Sequence, residues 1–198
     1  MEDGMMTMRD EIVFAKRALR GQVRQRAAAM SAQEAADSSG RIARDVLSSP
    51  WYREARSVFL YISVGKEPDT RVLLRQALED GKEVYVPRCR EKPVMDAVRL
   101  TQLDALRPNQ YGIPEPEDGE KAERIDLTIV PCLSVSPAGD RLGHGGGYYD
   151  AFLQTHPCRT LCLCHRALIL EDIPHGEEDV QMDALTFGEG IILCRKGC

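Results

Sequence analysis

Two short apolar segments joined by a helical segment constrain the fold of this chain most strongly. Residues 57–62 are apolar enough for a buried strand, and residues 83–86 predict a second strand that ends at Pro87. Between them lies a predicted helix that ends at Asp80, with Gly81 where a helix-terminating glycine belongs. A strand, a helix and a strand within about thirty residues predict a right-handed parallel crossover.

Two further helices are predicted before this unit. Apolar residues recur at helical spacing through residues 9–29. Ser31 and Glu34 then have the spacing of a capping box, which predicts that a second helix begins there. That helix is expected to continue to about Ser48 and to be closed by Pro50.

The second half of the chain predicts mainly short strands. They are expected at residues 96–100, 127–130, 160–164 and 191–194, with a proline-rich loop over 107–118 and a helix that ends at Thr155. No repeat or linker divides the chain. We therefore predict one α/β domain over residues 1–198, with three layers, a mostly parallel central sheet and helices on both faces. Residues 1–8 are expected to be flexible.

Composition and charge disfavour several classes of protein. The net charge of −5 argues against general nucleic-acid binding. RNA binding through the basic first helix is an alternative, and both the acidic net charge and the low aromatic content of 6% disfavour it. No apolar run approaches the roughly 20 residues of a membrane span. Residues 1–10 are polar and partly acidic, unlike a secretory signal. We expect a monomeric, cytoplasmic protein with no membrane or nucleic-acid partner.

The seven cysteines also predict a cytoplasmic protein with reduced thiols, because their number is odd and the sequence has no export signal. Cys158, Cys162, Cys164 and His165 are close enough in sequence to suggest a metal site, yet their spacing matches no standard zinc or iron–sulfur pattern. If this segment is a strand, Cys162 and Cys164 share one face and serve as small buried side chains.

Four glycines fall within the ten residues from Arg141 to Asp150, between a predicted strand and a predicted helix. Glycine lets backbone N–H groups converge on a ligand, and a helix N-terminus favours negative charge, so the segment suggests a phosphate site. A tight turn with no ligand is the alternative. The segment lacks the Lys-Ser/Thr of a P-loop and the third glycine of a dinucleotide fingerprint.

An ordered series of motifs resembles the 5-formyltetrahydrofolate cyclo-ligase family, whose members are also called methenyltetrahydrofolate synthetases. The resemblance covers nearly the whole chain and rests on these segments: Lys16-x-x-Leu19-Arg20, Tyr61, Glu67-x-Asp69-Thr70, Gly81-Lys82-x-Val84-x-x-Pro87, residues 111–116, residues 125–127, Val130-Pro131, residues 141–150, Ile173-Pro174, Asp179, Asp183 and Thr186. The order of the series is more specific than any one motif.

The resemblance implies a reaction. ATP and Mg²⁺ convert 5-formyltetrahydrofolate, with or without a polyglutamate tail, to 5,10-methenyltetrahydrofolate. In the family's scheme the formyl oxygen attacks the γ-phosphate, N10 attacks the resulting iminium phosphate, and phosphate leaves. Phosphorylation turns the formyl oxygen into a good leaving group, which explains the use of ATP.

The resemblance also implies a role for each matched residue. Arg141 and Tyr149 would be catalytic. ATP would contact Lys16, Arg20, Arg141, Leu142, Gly143, His144, Gly145, Gly146, Gly147, Tyr148 and Tyr149. The folate would contact Ile62, Glu67, His144, Gly145, Gly146, Gly147 and Tyr148. Asp150 and Asp179 would hold Mg²⁺, which prefers oxygen ligands.

Three positions depart from the family's pattern. His144 and Gly146 replace an Arg and a Lys found in some members, and Leu168 stands where Gln is usual. Lys16, Arg20 and Arg141 would then carry more of the phosphate charge. Two alternatives remain at this point: a non-catalytic relative that binds folate or nucleotide, and another ATP-dependent or phosphosugar enzyme on a similar scaffold.

Overall fold

The computed structural model describes residues 7–109 and 112–194. In that part of the chain the helices are α1 (Met8–Ala29), α2 (Ala32–Ser48), α3 (Pro50–Glu54), α4 (Arg71–Glu79) and α5 (Tyr148–Thr155). The main sheet contains β1 (Ser57–Leu60), β2 (Glu83–Cys89), β3 (Met95–Leu100), β6 (Leu127–Pro131), β9 (Arg159–Leu163), β10 (Ala184–Thr186) and β11 (Ile192–Leu193). Two small sheets pair β4 (Arg107–Pro108) with β5 (Pro114–Glu115), and β7 (Ser134–Val135) with β8 (Arg141–Leu142).

The order of strands in the main sheet is β11-β10-β9-β6-β1-β2-β3. The five inner strands run parallel, and only the edge strands β3 and β11 run antiparallel to their neighbours. The chain leaves β1 for β2 on one side, and it leaves the adjacent β6 for β9 on the other. The carboxyl ends of β1 and β6 therefore form a topological switch point, where ligands bind in open α/β sheets.

Side chains alternate between two cores, one on each face of the sheet. Val58 and Leu60 of β1 join the core under α2, α3 and α4, whereas Phe59 between them joins the core under α1 and α5. This period of two is the geometry of a strand buried on both faces. The predicted three-layer α/β fold and the mostly parallel sheet are confirmed.

The start of α1 falls at the end of the segment, residues 1–8, that we expect to be flexible. Residues 1–6 lie outside the described residues. Thr7 caps the helix, however, since its hydroxyl accepts a hydrogen bond from the Asp10 backbone N–H at 3.2 Å, and Met8 is the first helical residue. The capping interaction of Thr7 therefore sets the first residue of the helix, which precedes the apolar stripe.

The two prolines predicted to end elements act differently in the structure. Pro87 does not stop β2, which continues to Cys89. Tyr85 is the last residue of β2 that pairs with β1. Beyond Tyr85 the strand pairs only with β3, and there Pro87 lies opposite Ala97. Pro50 follows the end of α2 as predicted, but it also opens the short helix α3, because proline suits the first turn of a helix.

The predicted loop contains a short strand pair, and one further strand lies where no element was predicted. The loop expected over 107–118 includes the β4–β5 pair, and residues 110–111 within it lie outside the described residues. Strand β10 has only three residues, too few for a period-two signal. The first predicted strand ends earlier than expected, at Leu60.

Two of the cysteines that suggested a metal site, Cys162 and Cys164, serve as core side chains. Cys162 and Cys164 are buried in the core under α5, and burial raises the pKa of the Cys162 thiol well above its ordinary value. Within residues 7–109 and 112–194, no cluster of three or more His, Cys, Asp or Glu side chains is arranged to hold a metal ion. The same residues include no helix that is long and apolar enough to cross a bilayer.

Candidate active site

A cleft of about 1710 Å³ opens at the switch point between β1 and β6. Its floor includes Tyr61, which follows β1, and Pro131, which ends β6. Helix α1 forms one wall, the glycine loop before α5 lies across the floor, and the turn between β2 and β3 forms the opposite wall. The fold thus places the cleft where a sheet of this topology binds ligands.

Backbone geometry explains the glycines of the loop. Gly145 and Gly147 have φ values of +98° and +74°, which disfavour other residues, and Gly147 is the N-cap of α5. A Cβ on Gly143 would come within 2.7 Å of the Arg141 Nη1 atom, and one on Gly146 within 2.6 Å of the Tyr148 ring. The loop therefore lets ligand and side chains approach the backbone closely.

Arg141 is held below the loop with its side chain only 6% exposed. Its Nη2 atom donates to Asp150 Oδ2 at 2.8 Å, and Nη1 donates to the Pro131 carbonyl at 3.2 Å. Burial acts to lower the pKa of Arg141, but the Asp150 charge and hydrogen bond outweigh it, and the net shift is upward. The guanidinium is a permanent cation at the floor of the cleft.

Two cations reach the cleft from one face of α1. Lys16 is buried, and its Nζ atom lies 2.5 Å from Asp179 Oδ1. Arg20, one turn later, donates from Nε to the Gly143 carbonyl at 2.8 Å. Burial, and then the nearby charge of Arg24, lower the pKa of Arg20. The structure thus brings both predicted basic residues to the cleft, and Arg20 contacts the loop directly.

Glu67 lines the same cleft as these cations. Its Oε2 atom accepts from the Val64 backbone N–H at 2.9 Å, and Oε1 lies 3.0 Å from Nε2 of His144. His144 therefore joins the glycine loop to the carboxylate predicted to recognise folate. A ligand that bound Glu67 through Oε1 would replace or share this contact.

The two tyrosines at the start of α5 both line the cleft. The Tyr149 ring stacks on Phe59 with 6.0 Å between centroids, and the Arg141 guanidinium lies 5.8 Å from the Tyr149 ring centroid. The Tyr149 hydroxyl is buried and has no hydrogen-bond partner in the described part of the chain. Burial is the main cause that raises the pKa of Tyr149, so the phenol stays protonated and able to donate.

The structure brings together all but one of the predicted site residues. These residues line the cleft: Lys16, Arg20, Ile62, Glu67, Arg141, Gly143, His144, Gly145, Gly146, Gly147, Tyr148, Tyr149, Asp150 and Asp179. Leu142 is the exception, because its side chain is fully buried in the core and its carbonyl accepts from the Leu133 N–H at 2.8 Å. Leu168, the departure from the family's pattern, is likewise a buried core residue.

Asp150 contacts the segment that carries Asp179. The Val180 backbone N–H, next to Asp179, donates to Asp150 Oδ1 at 3.2 Å. Each carboxylate also pairs with a cation, Asp150 with Arg141 and Asp179 with Lys16. Two carboxylates fit Mg²⁺, which takes few protein ligands and completes its octahedron with water and phosphate oxygens.

Sequence reasoning missed the wall formed by the turn between β2 and β3. Arg90 and Lys92 from this turn line the cleft, and Lys92 Nζ donates to the Gly145 carbonyl at 3.1 Å. Nothing in the local sequence distinguishes these residues from other exposed charges. Ile113 and Glu115 also line the cleft, and the motif at residues 111–116 was a signal for them.

Comparisons with known proteins show which family this chain resembles. The sequence profile of the 5-formyltetrahydrofolate cyclo-ligase family matches residues 13–188. The chain is 33% identical to a probable 5-formyltetrahydrofolate cyclo-ligase of Caenorhabditis elegans, over 82% of this chain and 88% of that one. It is 31% identical to the 5-formyltetrahydrofolate cyclo-ligase of Mus musculus, over 87% of this chain and 93% of the relative.

The fold is also that of a solved relative. The solution structure of Aquifex aeolicus 5,10-methenyltetrahydrofolate synthetase superimposes with a TM-score of 0.81 at 26% identity, over 92% of this chain and 94% of that one. The profile match at residues 13–188 includes the glycine loop and most of α1. On these grounds the chain belongs to the 5-formyltetrahydrofolate cyclo-ligase family.

Proposed function

We propose that this protein converts 5-formyltetrahydrofolate to 5,10-methenyltetrahydrofolate and that it uses ATP and Mg²⁺, releasing ADP and phosphate. Family membership supports the folate chemistry. The observation that carries the nucleotide part is the position of Arg20 and Arg141 against one glycine loop, with Lys16 and Glu67 lining the same cleft. Such a cleft accepts a polyphosphate at one side and a hydrogen-bond donor ligand at the other.

The proposed reaction has two steps. The formyl oxygen attacks the γ-phosphorus, the bond from that phosphorus to the bridging oxygen breaks, and ADP leaves. N10 then attacks the formyl carbon and loses its proton, and phosphate departs with the former formyl oxygen. Both steps need positioned reactants and neutralised phosphate charge more than covalent help from side chains.

The cleft provides groups for both needs. Arg141, fixed by Asp150, would neutralise charge on the transferred phosphoryl group, while Lys16 and Arg20 would neutralise the rest of the triphosphate. The backbone of residues 143–147 would lie against the phosphates and the formyl group. Tyr149 would donate its unpartnered hydroxyl hydrogen to a ligand oxygen.

Folate recognition is assigned to the opposite side of the cleft. The Glu67 carboxylate would accept hydrogen bonds from the amino and ring N–H groups of the pterin. Ile62 and the Tyr148 ring would pack against the flat faces of the ligand, since both line the same cleft as Glu67.

Asp150 and Asp179 would hold Mg²⁺. When bound, the ion neutralises phosphate charge and orients the triphosphate. Because Arg141 and Lys16 already pair with these carboxylates, the same two cations would stand beside the ion's phosphate ligands.

The test is an absorbance assay for methenyltetrahydrofolate, with 5-formyltetrahydrofolate, ATP and Mg²⁺ and with each omitted in turn. We expect the product band to grow only in the complete mixture and to stop on addition of EDTA. Growth without ATP would contradict the proposed co-substrate. Folate binding without turnover would favour a non-catalytic relative.

A further inference from the structure

The positively charged side chains of the cleft fall into two groups, those that pair with carboxylates and those that donate to backbone carbonyls. Six lysine and arginine side chains line it among the described residues: Arg9, Lys16, Arg20, Arg90, Lys92 and Arg141. Four of the six pair with carboxylates: Arg9 with Glu178, Lys16 with Asp179, Arg90 with Asp96 and Asp118, and Arg141 with Asp150. The remaining two, Arg20 and Lys92, donate to the carbonyl oxygens of Gly143 and Gly145.

This difference matters for an anionic ligand. A cation beside a carboxylate has its charge largely balanced before a phosphate arrives, whereas a cation beside a neutral carbonyl does not. Exchanging a carbonyl for a phosphate oxygen replaces a neutral hydrogen bond with a charge-assisted one, which is stronger. Arg20 and Lys92 are therefore placed to gain most from a bound polyphosphate.

The position of Lys92 fits such a role. It lies in the turn between β2 and β3, and the adjacent Pro93 packs over the loop, where a Cβ on Gly147 would come within 3.8 Å of the Pro93 Cβ atom. The loop from Leu142 to Tyr149 contains no lysine or arginine of its own. Its positive charge has to come from neighbouring elements, from α1 on one side and from this turn on the other.

We propose that Lys92 is a phosphate-binding residue that moves its Nζ atom from the Gly145 carbonyl to a phosphate oxygen when a nucleoside triphosphate enters the cleft. This assignment rests on the ATP dependence proposed above. With Arg20 it places one unpaired cation on each side of the glycine loop. Glu91, the neighbouring carboxylate in the same turn, also lines the cleft, and its negative charge would repel a phosphate placed next to it.

Two variants separate the charge of Lys92 from its hydrogen bond. Lys92→Gln keeps a side-chain donor for the Gly145 carbonyl and removes the charge, while Lys92→Arg keeps the charge. Lys82→Gln is the matched control, because Lys82 Nζ also donates to a backbone carbonyl, that of Ala55, but precedes β2 at the opposite end of the strand from the cleft. Thermal unfolding would check that all three variants are folded.

Calorimetry would measure the affinity of each protein for ATP with Mg²⁺, and for sodium tripolyphosphate, in the absence of folate. We expect Lys92→Gln to bind both probes about tenfold more weakly than the wild type. Lys92→Arg and Lys82→Gln should bind them as the wild type does. The deficit of Lys92→Gln should shrink as KCl rises, since salt screens exposed charges.

Wild-type affinity in Lys92→Gln would overturn the proposal. Equal losses of affinity in Lys92→Gln and Lys92→Arg would overturn it too, because a loss that does not depend on charge indicates that Lys92 only holds the loop in place. If the unaltered protein neither bound ATP nor turned over folate, the proposed function would fail instead. The tripolyphosphate titrations would still decide the role of Lys92 in that case.

Discussion

Arg141 shows how single residues in this cleft combine a structural contact with a charge. The guanidinium is nearly buried, joins Asp150 to the end of β6 through the Pro131 carbonyl, and keeps one buried N–H group, at Nε, without a partner among the described residues. The side chain is therefore positioned before any ligand binds. Such preorganised donors are the groups that stabilise developing charge most effectively.

Arg141→Ala should lower kcat by about 10²–10³-fold, equivalent to about 2.7–4 kcal/mol, by analogy with the loss of one preorganised donor in an oxyanion hole. Steady-state kinetics with saturating ATP and folate would measure the loss. Arg159→Ala is the control, since Arg159 is an arginine of β9 whose side chain pairs with Glu54 and lies outside the cleft lining. An unchanged kcat in Arg141→Ala would remove this residue from the reaction.

Glu67→Gln should weaken folate binding and leave ATP binding unchanged. The substitution removes the charge that accepts hydrogen bonds from the ligand, and hydrogen bonds to charged groups contribute about 1.5–3 kcal/mol. Titrations of each ligand alone would measure the two dissociation constants. Because Gln can still accept from the Val64 N–H, the loop should keep its shape. Equal losses for both ligands would contradict a folate-specific role.

At the scale of elements, the cleft depends on segments that end at defined residues. Helix α5 begins at Tyr148 directly after the loop, with Gly147 as its N-cap, and α1 carries Lys16 and Arg20 into the cleft, where Arg20 donates to the Gly143 carbonyl. Lys66, beside Glu67, donates from Nζ to the carbonyl of Met30 at the end of α1, at 2.9 Å. Contacts between elements therefore carry the site more than any one loop does.

The capping box of α2 provides a stability prediction at this scale. Ser31 Oγ accepts from the Glu34 N–H at 3.1 Å, and Glu34 Oε2 accepts from the Ser31 N–H at 2.8 Å. Ser31→Ala should lower the free energy of unfolding by about 1 kcal/mol. Urea denaturation would measure it. Glu34→Gln, which keeps a side-chain acceptor, should cost less, and an equal loss would argue against the capping role of Ser31.

At the scale of the whole molecule, His165 connects the two sides of the fold. It is buried after β9, with Nδ1 2.8 Å from Ser38 Oγ in α2 and Nε2 3.1 Å from the Lys66 carbonyl. Burial lowers its pKa below the ordinary value, against a smaller upward effect of the Lys66 hydrogen bond. The folded protein therefore binds fewer protons at this site than the unfolded chain does.

It follows that stability should fall as the pH drops from about 6.5, the pKa of His165 in the unfolded chain, toward the lower folded value. Above that window the contribution of His165 is complete. Urea denaturation between pH 7.5 and about 5 would measure the slope. His165→Gln should flatten it, whereas His156→Gln at the end of α5 should leave it in place. The same slope in His165→Gln and wild type would assign the pH dependence to other groups.

We expect the protein to be a monomer, and the edges of the sheet are consistent with that expectation. The outer side of β3 is covered, because Arg99 N–H donates to the Glu120 carbonyl at 2.8 Å and Ala122 N–H to the Ala97 carbonyl at 2.9 Å. Edge strand β11 has only two residues. Neither edge offers a long free strand for pairing with a second copy. Sedimentation velocity should show a single monomeric species, and a stable dimer would contradict this expectation.

Local chemistry was sufficient to predict much of this protein from its sequence. The crossover from β1 to β2, the Ser31 capping box and the Gly-rich loop before α5 follow from interactions between residues close in the chain, and such interactions leave a pattern in the sequence. The family was identified differently, by the resemblance of an ordered motif series that extends over nearly the whole chain. Lys16, Arg20, Glu67 and Arg141 could be selected as a site on that basis, and the structure places all four in one cleft.

Only the tertiary structure decided what depends on distant partners. Pro87 continues a strand because β3 pairs with it, and Leu142 turns away from the cleft because the core requires an apolar side chain there. Lys92 meets Gly145, 53 residues away, through the folding of the sheet. Contacts of this kind arise from the register and packing of whole elements, and they leave no local periodicity, cap or spacing by which a single sequence could reveal them.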